Sequence, residues 1–271
     1  MDTDGHRWTQ MHTDEFEARR HEGEGKGRRS LTADGTDLTA TGYNEMMPLN
    51  FAMIHDGHAD IMRFLAVNPA PVERQRFDGI FRATNHSYGA FLRFFSEKSI
   101  LSEDDVTVGA HMAYGWMPTA INRFGIDDLP ALVRILNDVK RGHFPPREDL
   151  ATLKRGINNS LVGASKLLHF VAPTNIAIWD RRIARFIHGN LAEREVETIQ
   201  AFLDYHRDLN LVVRHPDFGR IGDWMNHIVG YQVSNLRACE YLMYLEQVIR
   251  SLQERADRPR DPRRGGEPEG R

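Results

Sequence analysis

The chain carries one cysteine, Cys239, among 271 residues. That excludes an internal disulfide framework and any thiolate zinc site built within one chain. No apolar run reaches the length of a membrane span and the N-terminus lacks the apolar core of a secretory signal, so no membrane association and a cytoplasmic location are expected. Excess positive charge is missing too: 35 Lys and Arg stand against 38 Asp and Glu, a formal net charge of −3. The chain as a whole is no polycation, which leaves room only for a local basic face. Alternating strand patterns are nearly absent, with residues 176–179 and 209–213 the only candidates. There is no Walker pattern, no Ser/His/Asp motif and no cysteine-nucleophile signature. His55 and His58 stand three apart, yet no third ligand accompanies them at a motif spacing, so neither a metal nor a cofactor is expected.

Helical periodicity fills most of what remains. Residues 1–42 are rich in Asp, Glu, Arg, Gly and Thr with almost no aliphatic side chains, and residues 255–271 form a Pro/Gly/Arg stretch. Neither segment can bury enough apolar surface to offset its ordering entropy, so both are expected as disordered tails around a body at 48–254. Within that body Phe51, Ile54, His58, Ile61 and Leu65 recur at steps of three and four. Ser102 and Asp105 have capping-box spacing. Leu129, Leu132, Val133, Leu136 and Val139 form a stripe that ends at Gly142 and Pro145-Pro146. The segment 234–254 is apolar around most of its circumference, through Leu236, Cys239, Leu242, Met243, Leu245, Val248, Ile249 and Leu252. The pattern predicts an all-α fold of about eight to ten helices.

Chemistry is concentrated in residues 160–185. Ser160-Leu161-Val162-Gly163-Ala164-Ser165-Lys166-Leu167-Leu168 reads as a glycine-containing turn running into an apolar helix with one lysine. After Pro173 comes the apolar run Ile176-Ala177-Ile178-Trp179, then Asp180 opening a helix with Arg181, Arg182 and Arg185. A lysine among apolar neighbours is a candidate nucleophile, because desolvation disfavours its ammonium form. The alternative is a solvated helix lysine. Asp180 is either a matching carboxylate, an N-cap, or both. The three arginines are either a phosphate-binding face or merely a solvated one.

This segment resembles the helix-hairpin-helix DNA glycosylases over about thirty residues, a family whose signature is a hairpin, a lysine and an apolar run ending in a catalytic aspartate. The resemblance implies a first helix at 149–157, a hairpin at 158–165 and a second helix opening at Lys166. Lys166 would then attack the sugar anomeric carbon and Asp180 would assist departure of the base, with AP lyase activity as an option. Gly163, Ser165, Arg181, Arg182 and Arg185 would hold DNA, and Trp116 and Trp179 would stack on or replace an extruded base. The competing expectation is a non-catalytic helical module that binds nucleic acid or a protein partner. An enzyme requires Lys166 and Asp180 to meet in the folded chain; a binding module does not.

Overall fold

The computed structural model describes residues 48–66, 71–117, 119–189 and 192–256. Within them the chain forms eleven α-helices, one 3-10 turn and no strand. The expected tail at 1–42 lies outside the described residues, as does 257–271. Arg255 and Ala256, expected in the C-terminal tail, instead complete the last helix. In order come α1 (Phe51–Ala66), α2 (Pro71–Ser96), α3 (Glu103–Trp116), the 3-10 turn (Ile126–Asp128), α4 (Leu129–Lys140) and α5 (Arg147–Gly156). They are followed by α6 (Leu161–Val171), α7 (Arg181–His188), the single turn α8 (Glu193–Val196), α9 (Ile199–Val212), α10 (Phe218–Val229) and α11 (Asn235–Ala256). The fold is all-α. No helix among the described residues is long and apolar enough to cross a membrane.

Local chemistry sets the helix ends. Ser102 and Asp105 form the capping box at the start of α3, each side chain bonded to the other's backbone N–H. The stripe Leu132, Ile135, Leu136 and Val139 turns the buried face of α4 inward, and the chain leaves that helix through Gly142 at φ +95°. Residues 209–212, a strand candidate by composition, continue α9, where Leu209 and Val212 join Phe202 and Tyr205 on one buried face. Residues 176–179 are extended but lie in no sheet.

Two helices act as hubs. Ten of the eleven residues of α6 are buried, all but Val162. It packs against α2, α3, α4 and α5. Fully burying side chains such as Leu161, Leu167, Leu168 and Phe170 stabilises the fold by about 1.5–3 kcal/mol each. The second hub, α11, packs against α1, α2, α7, α9 and α10. Since it is covered on every side, polar residues within it are buried along with the apolar ones.

The packing of α2 and α6 on α3 leaves no room at Gly109, where a Cβ would lie 2.4 Å from Phe95 Cζ and 3.0 Å from Leu167 Cδ1. At Gly115, six residues on in the same helix, an added Cβ would meet nothing within 4 Å. Gly109→Ala is therefore expected to cost about 1–3 kcal/mol through overpacking. Gly115→Ala is expected to add about 0.5–1 kcal/mol by removing backbone freedom from a helix. Chemical denaturation of both variants checks the contrast, and equal effects would mean that the packing of Phe95 and Leu167 on α3 is looser than described.

Candidate functional site

The site begins at the reversal between α5 and α6. Asn158 and Asn159 both adopt the left-handed conformation, φ 56° and 50°, which asparagine tolerates better than most residues. Asn158 Oδ1 accepts from the backbone N–H groups of Asn122 (3.2 Å) and Arg123 (3.0 Å), tying the turn to the preceding loop. Ser160 then caps α6, its Oγ accepting from Gly163 N–H at 3.2 Å. The second helix therefore starts at Leu161, not at Lys166, and the lysine lies in its second turn. A side-chain cap and two asparagines shape the turn that glycine was expected to shape.

Gly163 and Ser165 face inward, which corrects their expected role in holding DNA. A Cβ at Gly163 would lie 2.6 Å from the Tyr114 ring and hydroxyl, so this glycine serves close helix packing. Ser165 is fully buried. A carboxylate already occupies the N-terminus of α6: Glu197 accepts from Leu161 N–H, and its other oxygen accepts from Ser160 Oγ at 3.0 Å.

Residues 176–179 run extended through the core, and side chains from two helices bond to several of their backbone groups. Ser165 Oγ accepts from Trp179 N–H at 3.1 Å and lies 2.9 Å from Trp179 O. His169 Nδ1 lies 2.6 Å from Ile176 O, and Tyr205 donates to Ile178 O at 2.9 Å. A carbonyl only accepts, so Nδ1 of His169 carries the hydrogen and Nε2 accepts from Tyr88 OH, 2.8 Å away. Burial of this ring disfavours its charged form, as does nearby Arg237, and the pKa falls to about 3.

The extended segment delivers Asp180 to the start of α7. Its Oδ1 accepts from the N–H groups of Arg182 (2.9 Å) and Ile183 (3.1 Å), so it is the N-cap. Its Oδ2 meets Lys166 Nζ at 3.2 Å. The two side chains are only 8% and 17% exposed, so the pair is largely shielded but not sealed. Burial works against the carboxylate, but Lys166, the helix amides and Arg182 outweigh it and hold its pKa below the ordinary value. The ammonium and the carboxylate are in ion-pair contact, and that contact favours the charged form of Asp180.

A second polar cluster lies beside the first, on α11, and was missed in the sequence. Arg237 is 2% exposed and pairs with Glu240, also buried. Its guanidinium sits 4.4 Å from the Tyr88 ring centre and 4.3 Å from that of Tyr241, with Trp116 at 5.7 Å. Burial pushes the Glu240 carboxyl up to about 7 against the pull of Arg237, and both Asp180 and Lys166 act on it. The signal for these residues was present: a helix apolar around most of its circumference must bury its charged members as well.

The remaining expected residues divide. Trp116 is half-buried in an aromatic group with Tyr88, Phe91 and Phe170. Trp179, expected as a stacking surface, is instead a core residue: it is fully buried, its Nε1 donates to Val196 O at 2.7 Å, and its ring lies against Tyr205. Arg181 and Arg185 are exposed one turn apart on α7. Arg182 is half-buried, its guanidinium 5.3 Å from the Tyr244 ring centre. No group of three potential metal ligands occurs among the described residues.

The neutral His169 makes the fold acid-sensitive in a defined direction. The unfolded chain takes up a proton at this histidine near its ordinary value of 6.5, whereas the folded one resists until about 3. Stability is thus full above pH 6.5 and falls as pH drops through that window, by about 2–3 kcal/mol at pH 4.5 for this group. His169→Gln, which does not titrate, is expected to be less stable at pH 7 and to close part of that gap by pH 4.5. Denaturation curves at the two pH values test this, and a constant gap would show that the histidine is not held neutral. Scanned against known proteins, the chain matches no family model, and neither a curated protein nor a solved structure is found to match it.

Proposed function

We propose that this protein is a DNA glycosylase acting on a base turned out of the duplex, with Lys166 as nucleophile and Asp180 as its carboxylate partner. The observation that carries the reading is the 3.2 Å contact between Lys166 Nζ and Asp180 Oδ2 at a helix N-terminus, in surroundings that admit only limited solvent. The ammonium proton passes by way of Asp180 to the departing base, which leaves Asp180 charged, and the freed amine attacks the sugar anomeric carbon. As the new C–N bond forms, the bond to the base breaks and its electron pair leaves with the base. The carboxylate stabilises the electron-poor sugar during this exchange, as carboxylates do in glycoside hydrolysis. The sugar ring then opens: the C1′–O4′ electron pair leaves with O4′, which takes up the proton released by the attacking amine. The nitrogen lone pair forms the C=N bond of a Schiff base that permits strand cleavage, the AP lyase option. Arg181 and Arg185, exposed on the same short helix as Asp180, offer positive charge to the flanking phosphates. Cys239, buried and unpaired, fits the cytoplasmic setting this reading implies.

One observation favours the alternative, a non-catalytic helical module that binds nucleic acid or a protein. The N-terminus of α6, where a hairpin would present amides to a phosphate, is already taken by Ser160 and Glu197. The two readings separate on chemistry.

Duplex DNA carrying a panel of modified bases, incubated with the protein and then borohydride, is expected to yield a covalent protein–DNA adduct. Lys166→Ala would leave the Asp180 charge uncompensated in a nearly closed site and cost about 3–5 kcal/mol, so Lys166→Gln is the better test. It keeps a donor to Asp180 and removes the nucleophile, and is expected to fold and give no adduct. Asp180→Asn keeps the cap and is expected to slow adduct formation by about 10²–10⁴-fold. Base release without an adduct would demote Lys166 and leave Asp180 activating water. Absence of base release from every substrate would favour the module.

A further inference from the structure

The cluster around Arg237 contains three buried polar atoms without a hydrogen-bond partner: Arg237 Nη2, Asn85 Nδ2 and Tyr241 OH. Leaving any such atom unpaired inside a protein is unfavourable, and native chains rarely tolerate several in one place without a reason. These three come from α2 and α11, and Tyr231 joins them. Tyr231 OH donates to Asn85 Oδ1 at 3.3 Å, its ring stacks on Tyr88 with centres 6.5 Å apart, and Tyr88 in turn covers Arg237. Aromatic faces therefore surround a set of unused donors.

We propose that this cluster is a recognition site for a planar heteroaromatic ring presenting two adjacent hydrogen-bond acceptors, as on the O6/N7 edge of a hypoxanthine- or guanine-type purine. Three features define the class. The guanidinium and the carboxamide nitrogen only donate, so the ligand edge must accept. Glu240 already balances the charge of Arg237, so a neutral ring suits the site better than an anion. Tyr231 and Trp116, half-buried beside Tyr88, supply flat apolar surfaces of the kind on which heteroaromatic rings stack. An adenine-type ring, which replaces the carbonyl with an amino group, would set N–H against N–H and be rejected. Rejection of that kind is strong, because the donors remain buried and unpaired. The cluster is nearest the surface at Asn85, Tyr231 and Trp116, which are half-buried, and that is the side from which the proposed ring would approach.

This inference deepens the proposed function by naming the class of base, but it makes a claim about binding that is independent of the chemistry at Lys166. The experiment uses the full chain and free bases: calorimetric or fluorescence titration with hypoxanthine and with adenine. Hypoxanthine is expected to bind at least about tenfold more tightly, the difference made by one mismatched hydrogen-bonding position. Tyr241→Phe removes an unpaired atom alone, and Asn85→Ala removes one together with the Oδ1 that accepts from Tyr231; neither touches the Arg237–Glu240 pair. Each is expected to weaken hypoxanthine binding several-fold, and Tyr241→Phe to leave Tm unchanged or raised. A residue with a purely structural role would lower Tm and leave binding alone. Lys166→Gln is expected to bind hypoxanthine as the native chain does. Failure of both bases to bind, equal binding of the two, or native affinity in both Tyr241→Phe and Asn85→Ala would overturn the proposal. Discrimination between the bases together with no DNA adduct would retain this site and discard the glycosylase. An adduct formed without discrimination would do the reverse.

Discussion

A stretch of extended backbone crossing a helical core brings its peptide groups with it, and no neighbouring strand is present among the described residues to pair them. Each unpaired group would cost about 1–3 kcal/mol. In this protein the partners are side chains: Ser165 and His169, one turn apart on α6, and Tyr205 on α9. That requirement fixes the path of residues 176–179 relative to α6, and with it the place where Asp180 emerges. Lys166 follows Ser165 directly, so the residue that pins the segment also sets the neighbour that pairs with its end. The ion pair is thus a consequence of how a buried segment is satisfied. Its geometry comes from the pairing of peptide groups in the core.

Around that geometry the protein concentrates charge where a purely stabilising design would avoid it. Lys166–Asp180 and Arg237–Glu240 sit within electrostatic reach of each other, on three different helices. Buried ion pairs seldom stabilise more than well-packed apolar residues of similar volume. Two of them together, with one member, the Glu240 carboxyl, pushed up to about 7, suit a place where protons or ligands are handled. Tyr88 connects the two halves, since it bonds to His169 on one side and covers Arg237 on the other.

Helices were legible in the sequence because their signals are local: the stripes in α1 and α4, and the reciprocal Ser102–Asp105 cap. Residues 209–213 misled because Leu-Val-Val has strand-like composition, whereas Tyr205 and Phe202, one and two turns before Leu209, place it on a helical face. The hairpin misled for another reason. Left-handed backbone was sought at glycine, and Asn158 and Asn159 supply it. Lys166 and Asp180 could be picked out and their contact anticipated, since a short Pro173-broken connection returns the chain to its own helix. What could not be read was the occupancy of the α6 N-terminus by Glu197, 36 residues from Leu161 in sequence. Nor could the inward turn of Trp179, whose indole nitrogen answers a carbonyl on α8. Arg237 and Glu240 were hidden by habit more than by physics, because charged residues on a long helix are read as its wet side.

The hub role of α11 has a consequence for the order in which the molecule takes shape. Contacts that complete the polar centre join residues far apart in the chain, 81 for Tyr88 and His169 and 146 for Asn85 and Tyr231. Helices α3 to α6 adjoin one another in sequence and can dock early, because their loops are short and little chain entropy opposes closure. The last described helix is the one that covers α1, α2 and α7 together. During synthesis from the N-terminus, Lys166 and Asp180 therefore come together before the Arg237 side of the centre is in place. The nascent chain passes through a stage with its apolar faces on α1 and α7 uncovered, and the arrival of α11 closes the fold and the site in a single event.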